Sequence, residues 1–355
     1  MTGARLADPG TWMFDDPLHL EWADLADRVG ASPFARPGWV LAWAACRGVD
    51  VELIGVRREG ALVAALPIVR APEGVVTPTD WHTPRFEAIA LDEEALADLA
   101  GTTVARRDRY LRLGFLDADG PTQRAFTGAL LAGGYHLRLR TVLRSPYLRL
   151  STSWEDYLAE WPSKRRSDLG RRRRRLDEQG AVAFEIHDGT ERLDELLSEG
   201  FEVEASGWKG GQGTAIATEG TESLYRQAAA WAASQGTLRL GFLRVDGRAI
   251  AFDYCFEIGA THYLVKTGFR PEFSAFAPGK LLRAFMIETA FGRGLDTYDF
   301  VGDDDAWKME WTDTVRTTVI MEAHAPGLLG SITRAAGFLG RVVRRLKRSM
   351  RRGHG

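Results

Sequence analysis

One pattern occurs twice in this chain of 355 residues and restricts its fold more than any other feature. Residues 51–69, VELIGVRREGALVAALPIV, align with residues 238–256, LRLGFLRVDGRAIAFDYCF, so that Gly60 falls over Gly247 and Ala64 over Ala251. Each copy has an alternating strand, a charged turn that ends in glycine and a second apolar strand, which predicts a β-hairpin. The repetition predicts two similar halves, and the chain length favours two domains.

Basic residues are concentrated in two islands, although the formal net charge is only −2. Segment 164–175, KRRSDLGRRRRR, carries eight positive charges and one negative charge. From Ala323 to the end there are eight lysines and arginines and no acid. The remainder of the chain is therefore acidic, and charge concentrated in this way usually has an electrostatic role.

The stretch from Ser153 to Gly180 predicts two consecutive helices. Ser153 is a suitable N-cap because Asp156 follows three residues later, as in a relative of the capping box. One apolar helix face is formed by Trp154, Tyr157, Leu158 and Trp161. Pro162 ends or offsets this helix, and the second helix, basic on nearly all sides, runs to a stop at Gly180.

The basic helix has three interpretations. Arginine binds phosphate bidentately, which favours a phosphate or polyanion site that includes Arg165 and Arg166. A solvated connecting helix and a contact with nucleic acid are the alternatives. Residues 164–180 contain no aromatic side chain that could stack on a base, which weighs against the nucleic-acid interpretation.

A strand that leads through a glycine/proline loop into a helix carries the strongest functional signal. Residues Tyr263 to Thr267 predict the strand, Gly268 to Pro278 the loop and Gly279 to Phe291 the helix. A helix start offers free backbone N–H groups to a phosphate, and glycine lets the phosphate approach. Lys280 adds a positive charge.

From Ser153 to Thr312 the chain resembles the GNAT superfamily of acyltransferases. More closely it resembles the CelD-like acetyltransferase group, which is similar to the Fem-type aminoacyl transferases of peptidoglycan assembly. The segments SKRRSDLGRRRRRL, EASGWKG and WKMEW carry this closer resemblance. The usual superfamily run Arg/Gln-x-x-Gly-x-Gly/Ala is missing. The resemblance implies two GNAT-like domains in tandem, of which the first has lost cofactor binding.

The resemblance also implies the donor and its site. It places the coenzyme A pyrophosphate over the helix start and the pantetheine along the preceding strand. The implied cofactor-binding residues are Val265, Thr267, Gly268, Phe276, Pro278, Gly279, Lys280 and Leu281. The donor is then acetyl-CoA or another acyl-CoA, while Fem-type relatives use aminoacyl-tRNA on a similar scaffold.

Acyl transfer to an amine needs a proton acceptor and donors for the developing oxyanion. Candidate bases are Glu202, Glu204, Asp253 and His262. Glu204 is preferred because it lies in the matched EASGWKG segment, although a carboxylate paired with Lys209 is an equally simple interpretation. Asp253 needs a partner if it is buried, and His262 is favoured as a strand residue.

Lys308 is the third predicted catalytic residue, beside Glu204 and Asp253. In Fem-type relatives a lysine in a comparable place stabilises the reacting carbonyl, and a salt bridge to Asp304 or Asp305 is the alternative. No arrangement of Ser/His/Asp or Cys/His is visible, which favours direct transfer. The predicted substrate-binding residues are Trp208, Lys209, Asp303, Trp307, Trp311, Arg165 and Arg166.

The predicted fold class is α/β, with mixed sheets of the α+β type. The predicted domains are a degenerate GNAT-like domain (1–150), a basic helical connector (151–180), a catalytic GNAT-like domain (181–322) and a basic amphipathic tail (323–355). The tail pattern predicts peripheral contact of residues 331–352 with an anionic membrane. We expect a cytoplasmic protein with reduced cysteines, no metal and no DNA partner.

The function predicted from the sequence is acyl-CoA-dependent N-acyl transfer to an amino-bearing small molecule, sugar or lipid-linked envelope precursor. Two alternatives stay open. One is an aminoacyl-tRNA-dependent Fem-type transferase, for which the basic helix contacts the tRNA. The other is a non-catalytic partner in polysaccharide assembly.

Overall fold

The computed structural model describes residues 17–207, 216 and 220–327. The strands are β1 (Glu52–Arg58), β2 (Ala61–Ala71), β3 (Gly74–Val76), β4 (Ile89–Ala90), β5 (Tyr110–Asp117), β6 (His136–Arg149), β7 (Val182–His187), β8 (Leu238–Val245), β9 (Arg248–Ile258), β10 (Thr261–Phe269), β11 (Thr297–Asp299) and β12 (Val315–His324). The helices are α1 (Pro17–Arg28), α2 (Pro37–Arg47), α3 (Glu93–Ala105), α4 (Pro121–Ala132), α5 (Trp154–Ala159), α6 (Ser163–Asp177), α7 (Leu193–Ser206), α8 (Glu222–Ser234), α9 (Pro278–Gly292) and α10 (Ala306–Met309). Short 3₁₀ helices cover Pro33–Ala35 and Pro271–Phe276. The predicted mixed α/β fold class is confirmed.

The chain divides into two compact units. The first unit contains the described residues up to Pro37, Val49–Leu143 and the chain from Thr317 onward. The second unit contains Gly38–Gly48 and Arg144–Arg316. The connector predicted at 151–180 therefore lies inside the second unit. The predicted basic tail (323–355) falls mostly outside the described residues.

The first unit has the strand order β1-β2-β3-β5-β12, with β4 paired to β2. Strands β1, β2 and β3 are antiparallel neighbours, and β3 is parallel to β5. Helices α3 and α4 pack their buried residues, among them Leu99 and Phe126, into the core of this unit.

The second unit has the strand order β6-β11-β10-β9-β8-β7. Its three central strands β8, β9 and β10 are antiparallel, and β10 is parallel to β11. Helix α9 contributes Leu281, Leu282, Met286 and Ile287 to a core shared with Tyr157 and Trp161. The predicted helix over Gly279–Phe291 is confirmed, within one residue at each end.

The two hairpins predicted from the repeated pattern both form, and they share their details. Both turn residues are left-handed in each copy, with φ of 52° and 86° at Glu59 and Gly60 and of 48° and 79° at Asp246 and Gly247. This is the backbone that two-residue hairpins prefer. Each hairpin also has a bulge at the same aligned place, where Val63 is the extra residue of β2 and Ile250 is the extra residue of β9.

The two helices predicted after Ser153 are also confirmed. The Ser153 side chain accepts from Asp156 N at 3.0 Å and caps α5. Helix α6 follows Pro162 and ends at Asp177.

Candidate functional site

The second unit contains a fork between two parallel strands. Strands β10 and β11 pair only over Thr261–Tyr263 and Thr297–Asp299, whereas β10 continues to Phe269 along β9. Val301 and Gly302, with φ of 51° and 70°, then turn the chain after β11 away. From Leu264 onward the β10 edge on the β11 side therefore has no strand partner within the described residues.

A β-bulge lies at the point where the fork opens. The register of β10 on β9 shifts between Leu264 and Lys266, so Val265 is the extra residue. A bulge bends its strand and disturbs the ladder. Residues 265–268 are half-exposed, in contrast to the buried His262, Tyr263 and Leu264 before them. The predicted pantetheine segment thus lies on an accessible strand edge.

Helix α9 begins beside this segment. Ala277 is its N-cap, with φ of 53°, and Pro278 is its first residue. The backbone N–H groups of Lys280 and Leu281 donate to Ala277 O at 3.0 and 3.2 Å, while the Gly279 N–H has no partner within the described residues. The first turn contains no acid. It is therefore a helix N-terminus that can accept an anion.

Two cations lie near this helix start. Lys280 Nζ is 2.7 Å from Glu310 Oε2, and the charge of Glu310 also acts on Arg165. The Arg165 guanidinium lies 3.3 Å from the Trp161 ring centroid and 5.8 Å from that of Trp311. Its Nε and Nη2 are buried without a hydrogen-bond partner in the described part of the chain. Burial lowers the pKa of Arg165 because it disfavours the charged guanidinium. An anionic ligand bound beside the guanidinium would offset this cost.

The basic helix α6 packs on the loop before α9. Arg172 Nη1 donates to Ala275 O at 3.5 Å, and the Arg175 guanidinium is 5.6 Å from the ring of Phe276. Phe276 is half-buried against the core, consistent with a wall of the loop. Hydrogen bonds from Arg172 and Arg171 lower the pKa of Asp168 to about 2, so part of the helix charge is neutralised internally.

Asp253, predicted as a catalytic residue, is instead sealed in the core. It is 0% exposed and forms a bidentate ion pair with Arg283, whose Nη2 lies 2.7 Å from Oδ1. Arg283 also donates to Tyr298 Oη at 2.9 Å and to Thr267 Oγ1 at 3.0 Å. Burial lowers the pKa of Arg283, but Asp253 raises it more, so the arginine stays charged. A carboxylate held in this way has no access to a substrate proton.

Lys308 also differs from its predicted catalytic role. Its Nζ donates to Val301 O at 2.9 Å and to Asp303 O at 2.8 Å, and it lies 3.0 Å from an Asp305 carboxylate oxygen. These partners engage the three ammonium hydrogens, and the residue is 6% exposed. The alternative salt bridge to Asp305 is therefore the one observed, and Lys308 holds the 301–305 turn.

Glu204 lies in α7 directly against the fork. It is 1% exposed, and its Oε2 accepts from Ile216 N at 3.1 Å. A Cβ on Gly268 would overlap the Glu204 Cα, so Gly268 lets the helix backbone approach β10. Glu202 is exposed and lies 3.8 Å from Arg270. His262 is buried within β10, stacked on Tyr298 with ring centroids 4.7 Å apart.

The predicted substrate-binding residues are divided between core and surface. Trp311 is 3% exposed and packs in the core, and Arg166 donates to the backbone oxygens that end α5, including Ala159 O at 2.8 Å, so both are structural. Leu281 of the predicted cofactor set is likewise in the core, at 3% exposure. Trp307 is 37% exposed and its ring lies 5.5 Å from the Arg283 guanidinium. Asp303 is exposed as well, while Trp208 and Lys209 lie outside the described residues.

Sequence reasoning missed Arg283, which the structure places at the centre of the fork. A signal was present, because one face of the predicted helix carries Leu282, Met286 and Ile287 and an arginine stands among them. Asp253, between apolar strand neighbours, needed a buried cation as partner. Together, these two observations would have predicted the ion pair between Arg283 and Asp253.

The first unit has no such fork, although its strands correspond. Strand β2 pairs with β3 and β4 in the same register in which β9 pairs with the beginning and the end of β10. Residues 77–88, which connect β3 to β4, therefore take the place of residues 264–267 of β10. These extra residues follow β5: Thr77 N donates to Arg112 O and Phe86 N to Phe115 O, both at 2.9 Å. Helix α3 follows these residues, but its first turn contains Glu93 and Glu94.

Residues 163–309 match the family model described as "Acetyltransferase (GNAT) domain". The matched segment is therefore similar to GNAT acetyltransferase domains. It contains the fork, α6 and α9. No curated protein matches the sequence.

Solved structures show the same fold over nearly the whole chain. FemX has 13% identity and a TM-score of 0.61, and the match covers 94% of this chain and 99% of FemX. The C-terminal domain of a putative lysylphosphatidylglycerol synthetase from Agrobacterium fabrum has 12% identity and a TM-score of 0.57, covering 86% and 90%. A conserved protein of unknown function from Bacteroides thetaiotaomicron has 12% identity and a TM-score of 0.53, covering 86% and 92%. At these identities the likeness establishes the fold alone.

The described residues, 17–207, 216 and 220–327, contain neither a candidate membrane span nor a candidate metal site. No helix among them has the length and apolarity needed to cross a bilayer. They also contain no group of three or more His, Cys, Asp and Glu side chains that could hold a metal ion.

Proposed function

We propose that this protein transfers an acyl group from acyl-CoA, with acetyl-CoA as the simplest donor, directly to an amine. The observation that carries the proposal is the accessible edge of β10 beyond the Val265 bulge, which leads to the uncapped start of α9. A pantetheine chain contains two amides and can pair with such an edge as a strand would. The GNAT family match supports this donor class.

The diphosphate of the donor fits the start of α9. The Gly279 N–H is available to it, and Lys280 and Arg165 supply positive charge close by. The buried Nε and Nη2 of Arg165 gain a hydrogen-bond acceptor when an anion binds. Lys280 forms an ion pair with Glu310 in the structure. Binding of the donor would replace this carboxylate by a phosphate as the partner of Lys280.

The chemical step needs no covalent enzyme intermediate. The amine nitrogen attacks the thioester carbonyl carbon, the C–N bond forms, and the C–S bond breaks to release coenzyme A. A proton leaves the amine, and Glu204 is proposed to accept it through water, because the helix backbone that carries Glu204 lies against β10 at Gly268. The exposed carboxylate of Asp303 suits a cationic amine before it loses that proton.

Thermal stabilisation by acetyl-CoA tests the donor site. A ligand at about 100 times its Kd stabilises the folded state by about 2.7 kcal/mol. We expect stabilisation of the wild type and of Gly279→Ala, because a Cβ at this position meets only Phe269, at 3.4 Å. Gly279→Glu places a carboxylate where the phosphate binds and should lose the stabilisation while melting normally without ligand. Equal stabilisation of the Glu variant, or none of the wild type, would refute the site.

An aminoacyl-tRNA donor is the second candidate, because α6 presents exposed cations next to the same loop. Lys164, Arg171, Arg174 and Arg175 are exposed. The Fem-type resemblance stated above implies this donor. If it is correct, charged tRNA binds more tightly than uncharged tRNA, with an affinity that falls steeply with salt, and Arg174→Glu reduces the salt slope. Stabilisation by acetyl-CoA without salt-dependent tRNA binding rejects it.

The acceptor class follows from the same proposal. An amino sugar, a lipid-linked envelope precursor or another amino-bearing small molecule fits an acyltransferase of this fold. The predicted membrane contact, residues 331–352, lies outside the described residues. Vesicles that contain anionic lipid, offered to the full chain and to a chain ending at residue 330, test it. A non-catalytic role in polysaccharide assembly predicts binding of no acyl donor at all.

A further inference from the structure

The floor of the fork contains a charged cluster that spans four elements. Arg283 of α9 contacts Asp253 of β9, Thr267 of β10 and Tyr298 of β11. The side chains of Arg283 and Asp253 are 2% and 0% exposed. Thr267 belongs to the β10 segment that has left β11, whereas Tyr298 belongs to the paired part of β11. One guanidinium therefore connects both arms of the fork.

Stability alone is a poor reason for this cluster. A buried ion pair gains little over apolar residues of the same volume, because removing two charges from water is costly. Arg283 Nε is also buried without a hydrogen-bond partner in the described part of the protein. A buried donor left without an acceptor lowers the stability of the folded state. The core around the cluster, with Leu282 and Ile287 on the same helix, could hold an apolar residue instead.

The position of the cluster points to the cleft. Nε–H lies on the same edge of a guanidinium as the outer N–H of Nη2, and Nη2 donates to Thr267. Thr267 is half-exposed, in the strand segment proposed to pair with the donor. The half-exposed ring of Trp307 lies 5.5 Å from the guanidinium carbon. The arginine thus supports both the strand edge and an aromatic wall.

We propose that Arg283 is a positioning residue for the acyl donor, holding the β10 segment beyond the Val265 bulge at the distance from β11 that donor amides require. This inference rests on the donor site proposed above. Lysine cannot replace arginine here, because a single ammonium does not form the planar bidentate pair with Asp253 and reach Thr267 and Tyr298 together. Any variant that loses this bridge leaves the β10 edge less ordered.

Matched variants separate positioning from stability. Arg283→Met combined with Asp253→Leu removes the pair and keeps the volume, and Arg283→Lys keeps the charge and removes the bridge. The control is Arg244→Met, because Arg244 is a second ion-paired arginine of the same unit, bonded to Glu185 at 2.8 Å and to Glu199 at 2.6 Å. Each is measured for melting temperature, for acetyl-CoA affinity by calorimetry and for ligand-free hydrogen exchange over residues 265–269.

We expect the double variant to melt within about 5 °C of the wild type. Both Arg283 variants should bind acetyl-CoA about tenfold or more weakly and exchange faster over residues 265–269, while Arg244→Met changes neither. Wild-type affinity and exchange in both Arg283 variants would overturn the inference. If the double variant does not fold, Arg283→Lys decides alone. If the wild type does not bind acetyl-CoA, the proposed donor fails, and the exchange of the ligand-free variants still decides whether Arg283 holds the strand.

Discussion

Acidification should destabilise the second unit through one buried residue, His262. Its side chain lies in β10 at 2% exposure, stacked on Tyr298 with an interplanar angle of 18°. Its Nε2 has no hydrogen-bond partner within the described residues. Burial lowers the pKa of His262 from 6.5 to about 3, and the positive charges of Arg283, Arg239 and Arg293 act in the same direction.

The sign and size of the effect follow from this shift. In the unfolded chain the imidazole takes up a proton near pH 6.5, whereas in the folded chain it stays neutral until about pH 3. The stabilisation is therefore complete above pH 6.5 and is lost as the pH falls toward 3. At pH 5 the group is about 1.5 units below its unfolded pKa, which corresponds to about 2 kcal/mol at 1.36 kcal/mol per unit.

Urea unfolding at pH 7.5 and pH 5.0 measures this loss in the wild type and in His262→Phe. Phenylalanine keeps an aromatic ring stacked on Tyr298 and cannot take up a proton. Any repacking cost is the same at both pH values and cancels. We expect the variant to lose about 2 kcal/mol less than the wild type between the two pH values. His136→Phe, at an exposed position, serves as the control. Equal losses in His262→Phe and the wild type would refute the buried, neutral histidine.

Two further substitutions test the packing around the fork. Gly268→Ala places a Cβ against the Glu204 Cα and should cost about 1–3 kcal/mol of unfolding free energy and weaken acetyl-CoA binding, whereas Gly207→Ala, whose Cβ would lie 3.4 Å from the nearest atom, should change neither. Unchanged stability of Gly268→Ala would mean that α7 and β10 do not touch as described. Lys308→Met leaves the Val301 and Asp303 carbonyl oxygens without their donor and should lower unfolding free energy by about 1–3 kcal/mol. Normal stability in urea together with loss of acyl transfer would restore the catalytic role of this lysine.

Local structure was predictable because its causes are local. The repeated strand-turn-strand pattern fixed both hairpins, and the apolar spacing after Ser153 fixed α5. The fork was harder to predict, because it depends on where β10 and β11 stop pairing, and the three-residue strand β11 has little pattern of its own. The charged residues were hardest: Asp253 and Lys308 were assigned to catalysis, since their partners, a distant arginine and backbone oxygens of a turn, leave no spacing signal.

The contrast between the two halves supports the site in the second. An unpaired strand edge is a liability, since it invites pairing with other chains, and proteins usually cover it. In the first unit residues 77–88 take the place of the open segment and bond along β5. In the second unit residues 265–268 stay accessible, and the buried pair of Arg283 and Asp253 lies beneath them. A segment that is bonded along its neighbour in one copy and kept open at energetic cost in the other is best explained by a ligand that pairs with it. Binding of acetyl-CoA should accordingly slow hydrogen exchange at residues 265–269 and leave residues 77–88 unchanged.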